Sequence, residues 1–407
     1  MLRWSAGLYP LPFPASLGTM APAAMTRFLF VVPPFAGHTN PTVSVASALS
    51  DRGHEVAWVG YGGAIGHLLP VDAKIFDLGG EMPEGMAAMI GEKAASLRGL
   101  ENLKFFCEDV LLPLASSMRE GVDDAIDRYL PDVLVVDQQA LAGAVAARRR
   151  DLPWATFSTT SADLRESLAG LPKIVQWFED KQVELQSAAG LDPVAEFENS
   201  PHLVVMFSTR FLIGDREMPP QFQLVGPAVT NRPQTAGFPW EELDDRRKVL
   251  VSLGTLNAQR GERLFGVVKE ALGDLDVQVL LVAPDEFGPF PDNFIARPFL
   301  PQMELLPRVD AVVCHAGHNT VCESLLHGIP LIVTPIKDDQ TVVAQQVVEA
   351  GAGVRLRFAR VRAARLRGEV ERVLSDPSFR EAAERGRVSF REAGGAQRAA
   401  DLLEGLS

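Results

Sequence analysis

The side chains best suited to chemistry gather at residues 315–340. His315-Ala316-Gly317-His318-Asn319-Thr320 follows the largely β-branched run 309–313, and helical spacing through Val321, Glu323, Ser324 and Leu325 stops at Gly328. A strand, a turn of small polar residues and a helix in that order aim several backbone N–H groups and a helix's positive end at one point. That suits a diphosphate. Gly317 lets the backbone approach the anion, and His315, Asn319 and Thr320 add donors. The bland alternative is an ordinary α/β turn holding an incidental histidine. Residues 331–335 read as the next strand, with Asp339-Gln340 beyond it.

A second centre lies near the start. Residues 27–32 are apolar and lead into Pro33-Pro34-Phe35-Ala36-Gly37-His38-Thr39-Asn40-Pro41. A histidine at the carboxyl end of a first strand sits at the mouth of a sheet. Its unperturbed pKa suits proton removal near neutral pH; capping the next helix is the plainer role. That helix carries Val43, Ala46 and Leu49 on one face, ends near Gly53, and gives way to a second strand at 55–59. This is an opening βαβ unit, but without the Gly-x-Gly-x-x-Gly of a dinucleotide dehydrogenase. Residues 131–137, Pro-Asp-Val-Leu-Val-Val-Asp, form a strand ending in an acid. Asp132 starts it, about 16 Å from Asp137 at strand rise. Asp137 also suits the cap of a helix over 139–148. His54 and His67 lack such context and read as surface or structural.

Ser252-Leu253-Gly254-Thr255, Phe299-Leu300-Pro301-Gln302, His315-x-Gly317-x-Asn319-Thr320, Glu323 and Asp339-Gln340 occur in that order. Together they resemble the nucleotide-sugar-binding signature of family 1 glycosyltransferases, which include plant and bacterial small-molecule glycosyltransferases. Gly37-His38-x-x-Pro41 is similar to the family's base motif, and the resemblance runs through residues 25–405. It implies that His38 is the base, oriented by Asp137. Ser252, Gly254, Thr255, His315, Gly317, Asn319 and Thr320 would then surround the donor phosphates. Gln302 would lie at the uracil edge, Glu323 on the ribose hydroxyls, and Asp339 and Gln340 on the sugar. The chain departs from the family in three places. Phe299 or a neighbour stands where many plant relatives have Trp, His318 replaces a commoner Trp or Gly, and Val343 replaces a frequent Asn.

The elements that must position these groups fit one α/β design. Met82, Met86 and Met89 beside Ile90 read as a helix packed on a core, or as the lining of an apolar acceptor pocket. Phe105 to Leu114 continues as an amphipathic helix, and residues 154–157 and 202–207 as strands. Residues 163–200 read as helices with exposed charges. In the second half, strands are expected at 248–255, 277–282 and 293–299 and a helix at 261–273.

A chain of 407 residues is long enough for two cores. Its 47% hydrophobic and 22% charged composition is that of a soluble globular protein. The net charge of −13 disfavours nucleic acid or an anionic membrane as a bulk partner. Cys107, Cys314 and Cys322 lack Cys-x-x-Cys spacing. They argue for a reducing, cytoplasmic setting and against a disulfide framework or structural zinc. No apolar run is long enough to span a bilayer.

The resemblance implies a GT-B fold of two facing Rossmann-like domains. Residues 1–24 read as a disordered extension and 25–229 as an acceptor-binding domain. Residues 230–247 are the linker, 248–385 the nucleotide-sugar domain, and 386–407 a helix crossing back onto the first domain. The implied reaction is inverting, metal-independent transfer of a sugar to a hydroxyl of an apolar small molecule. The donor is a UDP-hexose, with a dTDP-deoxysugar as the alternative, and no cofactor is needed beyond it. The rival readings are a sugar-nucleotide epimerase of the same fold and a non-catalytic nucleotide-sugar-binding protein.

Overall fold

A computed structural model describes residues 25–94, 97, 99–161, 171–229, 238–254, 261–337 and 339–407. Among them, the strands β1 (Arg27–Val31), β2 (Glu55–Gly60), β3 (Ile75–Asp77), β4 (Val133–Asp137), β5 (Trp154–Ser158), β6 (Leu203–Met206) and β7 (Phe222–Leu224) form one parallel sheet. Its order is β3-β2-β1-β4-β5-β6-β7. A second parallel sheet has the order β10-β9-β8-β11-β12-β13. It is built from β8 (Arg247–Ser252), β9 (Val277–Val282), β10 (Phe294–Arg297), β11 (Ala311–Cys314), β12 (Leu331–Val333) and β13 (Gly353–Arg355).

The strands are nearly continuous apolar runs because helices cover both faces of each sheet. Side-chain alternation divides each strand between two cores. In the first sheet Leu29, Val31, Leu134 and Val136 face the helices Leu112–Tyr129 and Leu141–Arg150. Phe28, Phe30, Val133 and Val135 face the opposite way, toward Val45 and Leu49 of the helix Ala36–Asp51. The second sheet is divided likewise, with Leu250 and Val312 on one side and Val249, Val251 and Val313 on the other. Met86 is buried in the first core, and Met82 and Met89 pack against it, as core methionines do.

Strand order fixes where a site can form. In each sheet the order reverses once, between β1 and β4 and between β8 and β11, and a crevice opens at the carboxyl ends beside such a reversal. Register puts Val31 beside Val136 in one crevice and Ser252 beside Cys314 in the other.

Two expectations need correction. Residues 163–200 do not form helix throughout. Among the described residues the helix is Pro172–Ala188, and the chain leaves it at Gly190, whose φ of +76° no longer continues a helix. The boundary drawn after residue 385 falls inside the unbroken helix Pro377–Glu392. The chain turns at Gly394 and Gly395, both with positive φ, and then forms the helix Gly395–Glu404. Ala399, Ala400, Leu402 and Leu403 of that last helix enter the first half's core. Arg52 binds Asp401, Glu404 and the Gln397 amide there, and His54 Nε2 meets Glu404 at 2.9 Å while its Nδ1 accepts from Thr26 N. His54 is thus a structural clamp. The expected extension 1–24 and most of the expected linker, 230–237, lie outside the described residues.

Candidate active site

His38 lies in the first turn of the helix after β1, and Asp137 ends the neighbouring β4. The two residues are 99 apart in sequence, yet His38 Nδ1 is 2.9 Å from both Asp137 carboxylate oxygens. Asp137 is buried, and the His38 side chain keeps 17% exposure. Asp137 also accepts the Gln139 N–H at 2.8 Å and shapes the turn before the helix Leu141–Arg150. Burial alone would depress the His38 pKa. The charge and hydrogen bond of Asp137, with a further contribution from Asp339, outweigh it and raise the imidazole above its ordinary value. Nδ1 is occupied, so Nε2 is the nitrogen left for a substrate. Asp132 sits at the far end of β4 and binds Arg27 N at 2.7 Å.

Sequence reasoning missed Thr159. It follows β5, the strand paired with β4. Its hydroxyl is 2.8 Å from His38 Nδ1 and donates to Asp137 Oδ2 at 3.3 Å. The signal was its place just beyond a strand adjacent to Asp137, which strand order alone reveals.

In the second half Gly317 caps the helix His318–Leu326 with no side-chain capping bond. The first-turn N–H groups at 318–320 therefore have no intrahelical partner and face the crevice end of β11. The left-handed residue here is Ala316, at φ +65°, a strained conformation held in a fully buried turn. Gly317 itself is extended, and its missing side chain serves His315. A Cβ built there would lie 2.4 Å from His315 Nε2, and one at Gly254 would lie 2.7 Å from its Cε1. The imidazole is thus held between two glycines, one from each strand of the reversal. Burial pushes its pKa down to about 4 against a hydrogen bond to the Ser252 backbone, so the ring is neutral at pH 7. Nδ1 is buried without a partner among the described residues and is the ring atom left for a ligand.

Glu323 is buried one helical turn below and accepts from Gln302 Nε2 at 2.5 Å. Phe299, just before the short helix Gln302–Leu305, leaves 57% of its surface exposed. Thr320 lies in the first turn of the helix and is part-exposed. Gln340 Oε1 accepts from Ile336 N at 2.9 Å and Lys337 N at 3.1 Å, which turns its NH₂ away from that loop. Thr255 lies outside the described residues.

Several of the expected donor-site residues reach across to the first half. Pro41 has no N–H, so the Gly37 carbonyl lacks its usual intrahelical partner; Asn319 Nδ2 donates to it at 3.0 Å. His318 Nε2 donates to Phe207 O at 3.0 Å, and burial holds this imidazole below its ordinary pKa. Asp339 accepts from Thr160 Oγ1 at 2.6 Å. The halves therefore meet along their crevices, with His38 and Asp137 on one side and the turn at 315–320 on the other. Burial raises Cys107 to about 11 and Cys314 to about 12, so these thiols are inert core residues. No cluster of three or more potential metal ligands occurs among the described residues.

Residues 267–392 match the C-terminal domain family of erythromycin biosynthesis protein CIII-like proteins. The 4'-demethylrebeccamycin synthase of Lentzea aerocolonigenes is 31% identical over an alignment covering 93% of this chain and 99% of that protein. The chain is an antibiotic-type family 1 glycosyltransferase. The demethyllactenocin mycarosyltransferase of Streptomyces fradiae is 30% identical, over 94% of this glycosyltransferase and 87% of that protein. A crystal structure of a calicheamicin glycosyltransferase superposes with a TM-score of 0.78 at 23% identity, covering 94% of this chain and 98% of that one. The two sheets are thus those of the GT-B fold. No helix among the described residues is long and apolar enough to cross a membrane.

Proposed function

We propose that this glycosyltransferase moves a sugar, with inversion, from a uridine or thymidine diphosphate sugar to a hydroxyl of an apolar small molecule. The carrying observation is the His38–Asp137 pair at one crevice, facing the N-terminus of the helix His318–Leu326 at the other. His38 Nε2 takes the acceptor proton while Asp137 holds Nδ1–H and stabilises the imidazolium. The acceptor oxygen bonds to the anomeric carbon as the bond from that carbon to the diphosphate breaks on the opposite face. The 318–320 N–H groups and neutral His315 meet the departing charge by hydrogen bonding, so no metal is required. Ser252, Gly254 and Thr255 shape the phosphate turn. The exposed Phe299 ring offers a face for the base, Gln302 and Glu323 hold base edge and ribose, and Asp339 and Gln340 hold the sugar.

Gln302 with Asp339-Gln340 speaks for a UDP-hexose. The neighbouring crystal structure of a spinosyn rhamnosyltransferase complexed with thymidine diphosphate (TM-score 0.73) speaks for the thymidine form. A thermal-shift screen with UDP, dTDP, GDP and NAD decides between them. A ligand at a hundred times its dissociation constant adds about 2.7 kcal/mol of apparent stability. A shift with UDP or dTDP alone is expected; a shift with NAD alone, or none, overturns the donor assignment.

A further inference from the structure

The loop leaving β5 makes three successive contacts that neither donor nor acceptor binding explains. Thr159, buried, touches His38 Nδ1 at 2.8 Å and Asp137 Oδ2 at 3.3 Å. Thr160 donates to Asp339 across the crevice at 2.6 Å. Ser161, fully buried, donates its hydroxyl to Gln346 Oε1 at 2.5 Å, and Gln346 Nε2 returns a bond to the Ser161 carbonyl at 3.2 Å. Gln346 belongs to the helix Gln340–Glu349, which begins directly after Asp339. The Ser161–Gln346 pair is reciprocal and buried in both partners. Breaking one side leaves a buried polar group unpaired, which is destabilising. The loop reaches from the His38–Asp137 pair to the opposite half through three consecutive residues, beside the single contact that Asn319 makes to Gly37.

We infer that Thr159-Thr160-Ser161 is a positioning strap, anchored by Gln346, that holds the His38–Asp137 base pair in register with the sugar-binding Asp339 of the opposite half. Gln346 and Ser161 are positioning residues: neither touches the base or the anion-binding turn. The strap rests on the reading of His38 as the base. Its consequence is electrostatic. The charged groups bearing on His38 are Asp137, from its own half, and Asp339, from the opposite half. Asp137 belongs to β4 of the same half as His38, whereas Asp339 comes from the opposite half, bonded to Thr160 and at the start of the helix that carries Gln346. Loosening the strap lets Asp339 recede and removes one of the interactions that hold the His38 proton.

The test is an NMR titration of the full chain with isotope-labelled histidine, the His38 signals being assigned by their loss in His38→Ala. Wild type, Ser161→Ala and Gln346→Leu are compared, together with Asp339→Asn. The wild-type His38 midpoint is expected above the ordinary imidazole value. It is expected to fall in Gln346→Leu and Ser161→Ala, in the same direction as in Asp339→Asn. A merely structural effect would broaden all histidines together and move no single midpoint. Ser161→Ala deletes one hydroxyl and keeps the fold should Gln346→Leu not. A His38 midpoint that falls in Asp339→Asn but is unchanged in both strap variants overturns the strap. A midpoint indifferent to Asp339→Asn also overturns it, since the sugar side then has no hold on the base. Sugar transfer that survives His38→Ala, measured with UDP-glucose or dTDP-glucose and 4-methylumbelliferone, overturns the base reading instead, so the two failures are told apart.

Discussion

Gly317→Ala isolates the slot that holds His315. The backbone at Gly317, φ −62° and ψ +133°, is one that alanine adopts freely, so the substitution carries no conformational strain of its own. Its effect comes from one methyl group placed 2.4 Å from Nε2 and 2.8 Å from Cε1 of His315. Ordinary van der Waals contact requires about 3.5 Å, so ring and turn must separate by about 1 Å. The ring cannot retreat, because Gly254 closes the other side, where a methyl would itself lie 2.7 Å from Cε1. Overpacking of this kind costs about 1–3 kcal/mol, and each kcal/mol lowers the melting temperature of a domain this size by about 2–4 °C. A 1 Å displacement of the helix N-terminus is also expected to weaken UDP or dTDP binding, and to slow transfer by about 10²-fold. Differential scanning calorimetry and isothermal titration on Gly317→Ala, His315→Ala and the double variant measure both effects. The three atoms nearest the methyl all belong to the ring, so once the ring is gone the double variant should lose little more stability than His315→Ala alone, a coupling of about 1–3 kcal/mol. Full additivity, or wild-type melting and affinity in Gly317→Ala, would refute the slot.

Transfer should fall on the acid side as His38 gains its proton. The raised His38 pKa puts that limb above the pH of an ordinary imidazole. Asp137→Asn removes the carboxylate that favours the imidazolium, so the limb should move to lower pH while kcat drops by about 10²–10⁴-fold; an unmoved limb in the pH profile would count against the pairing. The same pair should stabilise the fold below the ordinary imidazole pKa and cease to do so as pH rises through the raised one. Urea denaturation should therefore show a larger loss for His38→Ala at pH 5.5 than at pH 9. Leu403→Ala, in the last helix but buried in the first half's core, should cost about 2–5 kcal/mol, and a change under 1 kcal/mol would mean the helix does not close that core.

Much of the fold was legible because parallel strands buried on both faces are apolar runs of known length. Residues 277–282 read as a strand and form one, and the strand expected over 131–137 ends at Asp137 as read, though it begins at Val133. Strand ends shift where the apolar run outlasts the pairing partner, as at β10, which spans only Phe294–Arg297 against an expected 293–299. The loop after Ala188 was misread because charged residues extend a helical period past Gly190, where a positive φ ends the helix. Within the site, Gly317 was singled out for letting the backbone approach an anion. The structure adds a second reason, room for the His315 ring, and puts the left-handed residue at Ala316.

By itself the sequence determined the alternation of strands and helices, the acidic surface, the glycine-flanked His315 turn, and a histidine after the first strand. These are local properties, set by residue type and by spacing within a few helical turns. Only the tertiary structure decided that β1 lies beside β4, which brings Asp137 to His38. It also decided that Asn319 supplies the hydrogen bond Pro41 withholds from Gly37, and that Thr159 and Gln346 belong to the site at all. Those contacts join residues 99 to 282 positions apart. Hydrophobic periodicity tells a side chain which face to bury; which partner waits there depends on strand order and on how two sheets meet, quantities no short window of sequence contains.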